Sequence, residues 1–107
     1  MFTPTCLLEG CAIDAPAEDF RAAKRVEQYR VSAKAIYIPA GLRWTYLPLS
    51  EIRRAEESHR AVSAGKCVSV TERRPTLAVT TDTGEFKLNL ERVENMQKLL
   101  DAIHAAE

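Results

Sequence analysis

The stretch Thr76-Leu77-Ala78-Val79-Thr80-Thr81-Asp82-Thr83-Gly84-Glu85-Phe86-Lys87-Leu88-Asn89-Leu90 decides how this chain folds. Leu77 and Val79 alternate with small or polar residues, and so do Phe86, Leu88 and Leu90. That period of two suits half-buried strands. Between the runs, Asp82-Thr83-Gly84 is a hairpin signal, because glycine takes positive φ cheaply and aspartate can bond the turn backbone. Directly after Leu90 the period changes. Val93, Met96, Leu100 and Ile103 recur at steps of three, four and three, with Leu99 beside them. This spacing predicts an amphipathic helix of about four turns. Asn89 is its candidate N-cap, and Glu91 and Glu94 sit where the helix dipole favours negative charge. A strand running straight into such a helix makes the helix a lid over one open end or face of the sheet. Burying its large apolar side chains is worth about 1.5–3 kcal/mol each before entropy is subtracted.

Upstream, Lys66-Cys67-Val68-Ser69-Val70-Thr71 also alternates and predicts a strand, which Arg73-Arg74-Pro75 should interrupt because proline has no ladder N–H. Ser50 to Ser63 is helix-prone, with Ile52, Ala55 and Val62 at helical spacing. The same stretch also reads as a polar edge strand whose charges discourage edge pairing. Tyr29-Arg30-Val31 and Ala35-Ile36-Tyr37-Ile38 alternate on either side of Ser32-Ala33-Lys34. After a turn at Pro39-Ala40-Gly41, the residues Leu42, Trp44 and Tyr46 share a face, so two adjacent hairpins predict an antiparallel meander. From Asp14 and Pro16 a helix could begin, with Phe20, Ala23 and Val26 as a thin apolar face. One long strand over Arg21 to Val31 is the alternative, and the sequence leaves both open.

The 107 residues, 46% of them hydrophobic, suit one domain with a real core. Fifteen basic side chains balance fifteen acidic ones, which excludes the charge excess expected of a general nucleic-acid or anionic-membrane binder. Three cysteines, an odd number without metal spacing, point to a reducing cytoplasm rather than a disulfide framework. Leu8-Glu9-Gly10-Cys11 faintly resembles a lipoprotein cleavage site, but no basic segment precedes it and Glu9 interrupts the apolar run. No stretch approaches the roughly 18 apolar residues of a membrane span. The expectation is a soluble cytoplasmic protein.

Tyr29 to Ile38, then Trp44-Thr45-Tyr46-Leu47-Pro48-Leu49-Ser50-Glu51-Ile52, and finally Leu88 to Ile103, together resemble bacterial PH-like (pleckstrin-homology-like) domains. The resemblance covers residues 27–104 and rests on pattern rather than on a single motif. It implies a mainly β, α+β fold, a seven-stranded antiparallel barrel or pair of orthogonal sheets capped by a C-terminal helix. Residues 1–26 would be an N-terminal extension, partly helical, and residues 27–107 the PH-like unit. On this reading Arg53 to His59 is a strand, not a helix. The resemblance further implies a non-enzymatic module for protein binding or self-association.

Candidate chemistry is sparse. Phosphoinositide-binding PH domains grip phosphates with several basic residues at the first hairpin, whereas here the turn offers only Lys34, with Arg30 and Arg43 nearby; this argues against specific phosphoinositide binding. Cys6, Cys11, Cys67, His59 and His104 are the available thiols and imidazoles. Structural packing explains them better than a metal site or a nucleophile. A thiol-dependent enzyme using Cys67 or Cys11 is the alternative function, and membrane-surface binding through basic pairs a weaker one. The expectation is no cofactor, no metal and no catalytic residue. Arg53-Arg54 and Arg73-Arg74 are the candidate interaction patch for an acidic partner if the strands carrying them are neighbours, with an exposed salt-bridged surface as the default reading. Trp44 and Tyr46 read first as core and second as an exposed binding platform in the same candidate set.

Overall fold

The computed structural model describes residues 4–8, 13–63 and 71–106. In chain order the elements are β1 (Thr5–Cys6), α1 (Pro16–Ala22), β2 (Lys24–Val26), β3 (Tyr29–Val31), β4 (Ala35–Ala40), β5 (Arg43–Pro48), a 3₁₀ turn (Leu49–Glu51), β6 (Arg54–Ser63), β7 (Thr71–Thr81), β8 (Gly84–Asn89) and α2 (Val93–Ala105). Among the described residues the strands form two sheets, one ordered β1-β5-β4-β3-β2 and one ordered β6-β7-β8. Every pairing is antiparallel except that of β1 with β5. The expected mainly β architecture with a closing C-terminal helix is present. The closed seven-stranded barrel is not: β1 takes the outer edge of β5, and the 3₁₀ turn carries the chain away so that β6 pairs with β7.

Alternation along β4 and β5 makes the five-stranded sheet apolar on both faces. Ile36 and Leu47 point into the main core with Leu77, Val79, Leu88 and Leu90 of the other sheet, and α2 adds Met96, Leu99, Leu100 and Ile103. Ala35, Tyr37 and Tyr46 point the opposite way and build a second, smaller core with Phe20 of α1, flanked by Ile13, Ala23 and Trp44. The N-terminal segment is thus the cover of the sheet's outer face. Sequence patterning shows the apolar residues there but not which surface each one meets.

Several expectations are corrected. The stretch that was open between helix and strand divides: α1 ends at Ala22, and Lys24–Val26 is a strand paired with Tyr29–Val31. Val26 therefore lies in the main core rather than on a helix. The stretch from Arg54 is a strand, as the family resemblance implies, because pairing with β7 over ten residues overrides local helix propensity. Pro75 does not break β7. Its carbonyl accepts the Leu90 N–H where β8 ends, so its missing donor faces the side on which the ladder stops. Leu42 is fully exposed, since Gly41 (φ 64°) turns the chain and β5 starts only at Arg43. Val93 opens α2 and is 53% exposed, which leaves Met96, Leu99, Leu100 and Ile103 as the buried stripe. Asn89 ends β8, and Arg92 takes the N-cap position. The strand expected over Lys66 to Val70 lies outside the described residues.

Candidate interaction surfaces

Arg92 makes no side-chain cap for α2. The cap comes from the other sheet. Glu27, in the turn between β2 and β3 (φ 55°), accepts hydrogen bonds from the backbone N–H groups of Glu91 (2.8 Å) and Arg92 (3.1 Å) and from Asn95 Nδ2 (2.8 Å). The same hairpin tip donates from Gln28 Nε2 (2.9 Å) and the Tyr29 hydroxyl (3.0 Å) to the Asn89 carbonyl. Burial, the largest influence on Glu27, disfavours its charge. The bonds from Asn95, Glu91 and Arg92 and the charge of Arg60 outweigh it and lower the carboxyl pKa. Glu27→Gln is expected to lower stability at neutral pH by about 1 kcal/mol, the usual worth of a helix cap. A depressed native pKa stabilises above the unfolded value and is lost as pH falls through the folded one. The gap between wild type and variant should therefore close in acid, as urea titrations across that range would reveal.

Beside this junction Arg60 and Arg74 are direct cross-strand partners, an unfavourable like-charge pair on its own. Glu91 resolves it: it pairs with Arg74 and lies 3.8 Å from Arg60, whose Nη1 also donates to the Pro75 carbonyl (2.6 Å). Arg74 of the expected patch is thus part of a structural ion cluster. Arg53 makes a two-pronged bond to Asp82 (3.1 and 3.0 Å), which holds the exposed Asp82 carboxyl below its usual range, and Arg54 pairs with Glu56. Arg54 lies opposite Thr80 and Arg74 opposite Arg60. Six residues along β6 separate the two ends, roughly 20 Å at the rise of an extended strand. The two basic pairs sit on neighbouring strands but do not form one patch. Tyr46 is buried, and Trp44 is half-buried against Phe20 (ring centroids 5.0 Å apart), with the Arg30 guanidinium over both rings at 4.5 and 5.8 Å.

Cys6 of β1 lies against Tyr46, while His59 is exposed on β6 of the other sheet and His104 is exposed near the end of α2. Cys11 and Cys67 lie outside the described residues. Among the described residues no cluster of His, Cys, Asp and Glu could hold a metal ion, and no helix is long and apolar enough to cross a membrane. Asp19 and Ser32 line a mainly apolar surface cleft of about 460 Å³ between α1, the β3–β4 turn and the last turn of α2. Asp19 Oδ2 accepts from Ser32 Oγ (2.5 Å) and from the Tyr37 hydroxyl (2.6 Å), so its polar atoms serve the fold. Burial first, then the Asp19 bond and charge, push the Tyr37 phenol up and keep it a neutral donor.

Among the described residues the edge strands are β1, β2, β6 and β8, and β6 is the longest of them. β6 is the outermost strand of its sheet, ten residues long, and Glu56, Glu57, Ser58, His59 and Ala61 are all exposed. Strand backbone groups point alternately to the two sides. Since the Pro75 carbonyl faces β8, the even-numbered residues of β7 face β6. By the observed register Arg54, Glu56, Ser58 and Arg60 bond inward to β7. The N–H and C=O groups of Ala55, Glu57, His59 and Ala61 are left pointing outward. Sequence reading found the strand and its charges, but its free length depends on where β8 stops.

No family model, curated protein or solved structure matches this chain.

Proposed function

We propose that the chain is a non-enzymatic, PH-like interaction module that binds protein by strand addition to the open edge of β6. The observation that carries this is the row of outward backbone groups at Ala55, Glu57, His59 and Ala61 on an edge strand ten residues long, without proline or bulge. Natural sheets shorten, bend, cover or charge such an edge when it has no use, and the charges on β6 are of both signs, so they select a complementary strand rather than repel every strand. Main-chain hydrogen bonding to an added strand supplies affinity, and the alternating side chains supply selectivity. The succession of seven antiparallel strands, β2 to β8, followed by a closing helix, supports the PH-like part of the reading. A photoreactive side chain placed at Ala61 should give discrete adducts in the native cell. Glu57→Pro removes one outward N–H and no bond to β7, and it should abolish them. No adducts at all, or undiminished adducts with Glu57→Pro, would overturn the reading.

A further inference from the structure

We infer that the strand added to β6 is β6 of a second copy, paired antiparallel about a two-fold axis at Ser58. This rests on β6 being the binding edge and names its occupant. The edge stretch Ala55-Glu56-Glu57-Ser58-His59-Arg60-Ala61 is antisymmetric in charge about its centre: acidic before Ser58, basic or imidazole after it. When Ser58 lies opposite Ser58 of the second copy, Glu56 faces Arg60, Glu57 faces His59 and Ala55 faces Ala61. The two-fold axis makes every such pair occur twice. Sliding the register by two residues sets Glu57 against Glu57 in one direction and His59 against His59 in the other. Opposite charge thus selects one register, where a uniformly charged edge would repel its own copy.

The backbone agrees with that register. Its hydrogen-bonded pairs fall on the odd-numbered residues, whose amides and carbonyls point outward in both copies. They would form about eight hydrogen bonds and join two three-stranded sheets into one. The pairing also supports the weakest part of the fold. β8 and Leu90 flank β7 only from Pro75 onward, and His59 lies opposite Pro75, so among the described residues Arg60 to Ser63 sit in a two-stranded ribbon. Such ribbons are marginal alone. In the proposed dimer, the segment from Ala55 to Glu57 of one copy, backed by its own three strands, lies against His59 to Ala61 of the other. Existing contacts permit it. The Glu56–Arg54 pair is exposed on both sides and holds Glu56 weakly, and Arg60, whose Nη1 bonds Pro75 and Thr76 and whose Nη2 lies 3.8 Å from Glu91, has further donor hydrogens.

Sedimentation velocity on the purified chain over a concentration series tests this, with a charge-exchange set. Wild type should dimerise reversibly. His59→Glu should weaken dimerisation about tenfold, because it sets two carboxylates against each other on both sides of the axis, and Glu57→Lys, which removes the acidic partner of His59, should weaken it less. The double variant E57K/H59E restores opposite charges at both pairs and should recover wild-type affinity. A strictly monomeric wild type, or a double variant no tighter than the single ones, overturns the inference. Adducts at Ala61 separate the two claims. A monomeric chain cross-linked to a different protein retains the open-edge reading and removes the second copy, whereas no adduct of any kind removes both.

Discussion

Leu99→Ala is expected to lower the unfolding free energy by about 2–5 kcal/mol, the range for emptying a fully packed leucine site. Leu99 is 0% exposed and sits in the core that α2 shares with Leu77, Val79, Leu88 and Leu90. Folded domains of this size hold only about 5–15 kcal/mol in total, so the variant should be close to its unfolding transition. Urea titration reads the effect as a lower midpoint at unchanged slope. Val93→Ala in the first turn of the same helix supplies the contrast. Its side chain is 53% exposed, and the expected change stays within about 0.5 kcal/mol. Equal effects at the two positions would mean that α2 does not close the core.

Phe20→Ala is expected to lower stability by about 3 kcal/mol and to move Trp44 emission to longer wavelength. Phe20 fills the second core: its ring meets Tyr37 edge-on at 5.2 Å and Trp44 at 5.0 Å, and the Arg30 guanidinium rests on it at 4.5 Å. Removing a buried aromatic ring loses its transfer energy and leaves a cavity, and the lost aromatic pairing adds to this. Trp44 is the chain's one tryptophan, so its emission reports on this face alone. Unchanged emission with unchanged stability would show that α1 is not an integral cover of the sheet. This prediction separates the N-terminal segment as structure from the same segment as an appendage.

The Arg30 stack also shows how a polar residue can belong to the fold rather than to a site. Arg30 lies on the same face of the sheet as Tyr37 and Trp44, and its guanidinium lies over two aromatic rings rather than beside a carboxylate. A flat, weakly hydrated cation can cover aromatic surface and remain partly wet. Asp19 acts similarly from the helix, holding Ser32 and Tyr37 and so tying α1 to the β3–β4 turn.

By itself the sequence determined those elements whose periodicity is strong and whose partners are near in the chain. The Leu77–Val79 and Phe86–Leu88–Leu90 zigzags, the Asp82–Gly84 turn and the helical stripe from Met96 to Ile103 are local patterns, and they stand where they were read. Tertiary structure decided everything set by partners distant in sequence. Glu27 caps a helix more than sixty residues away (|i−j| of 64 to its Glu91 donor), a role no local spacing announces. Arg54 to Ser63 is helix-prone alone and becomes a strand because β7 offers it ten pairings. The division into two sheets, the second core under α1 and the outward row of β6 amides all depend on which strand ends where. Local propensity is worth tenths of a kcal/mol per residue, and long-range pairing and burial exceed it wherever the two compete.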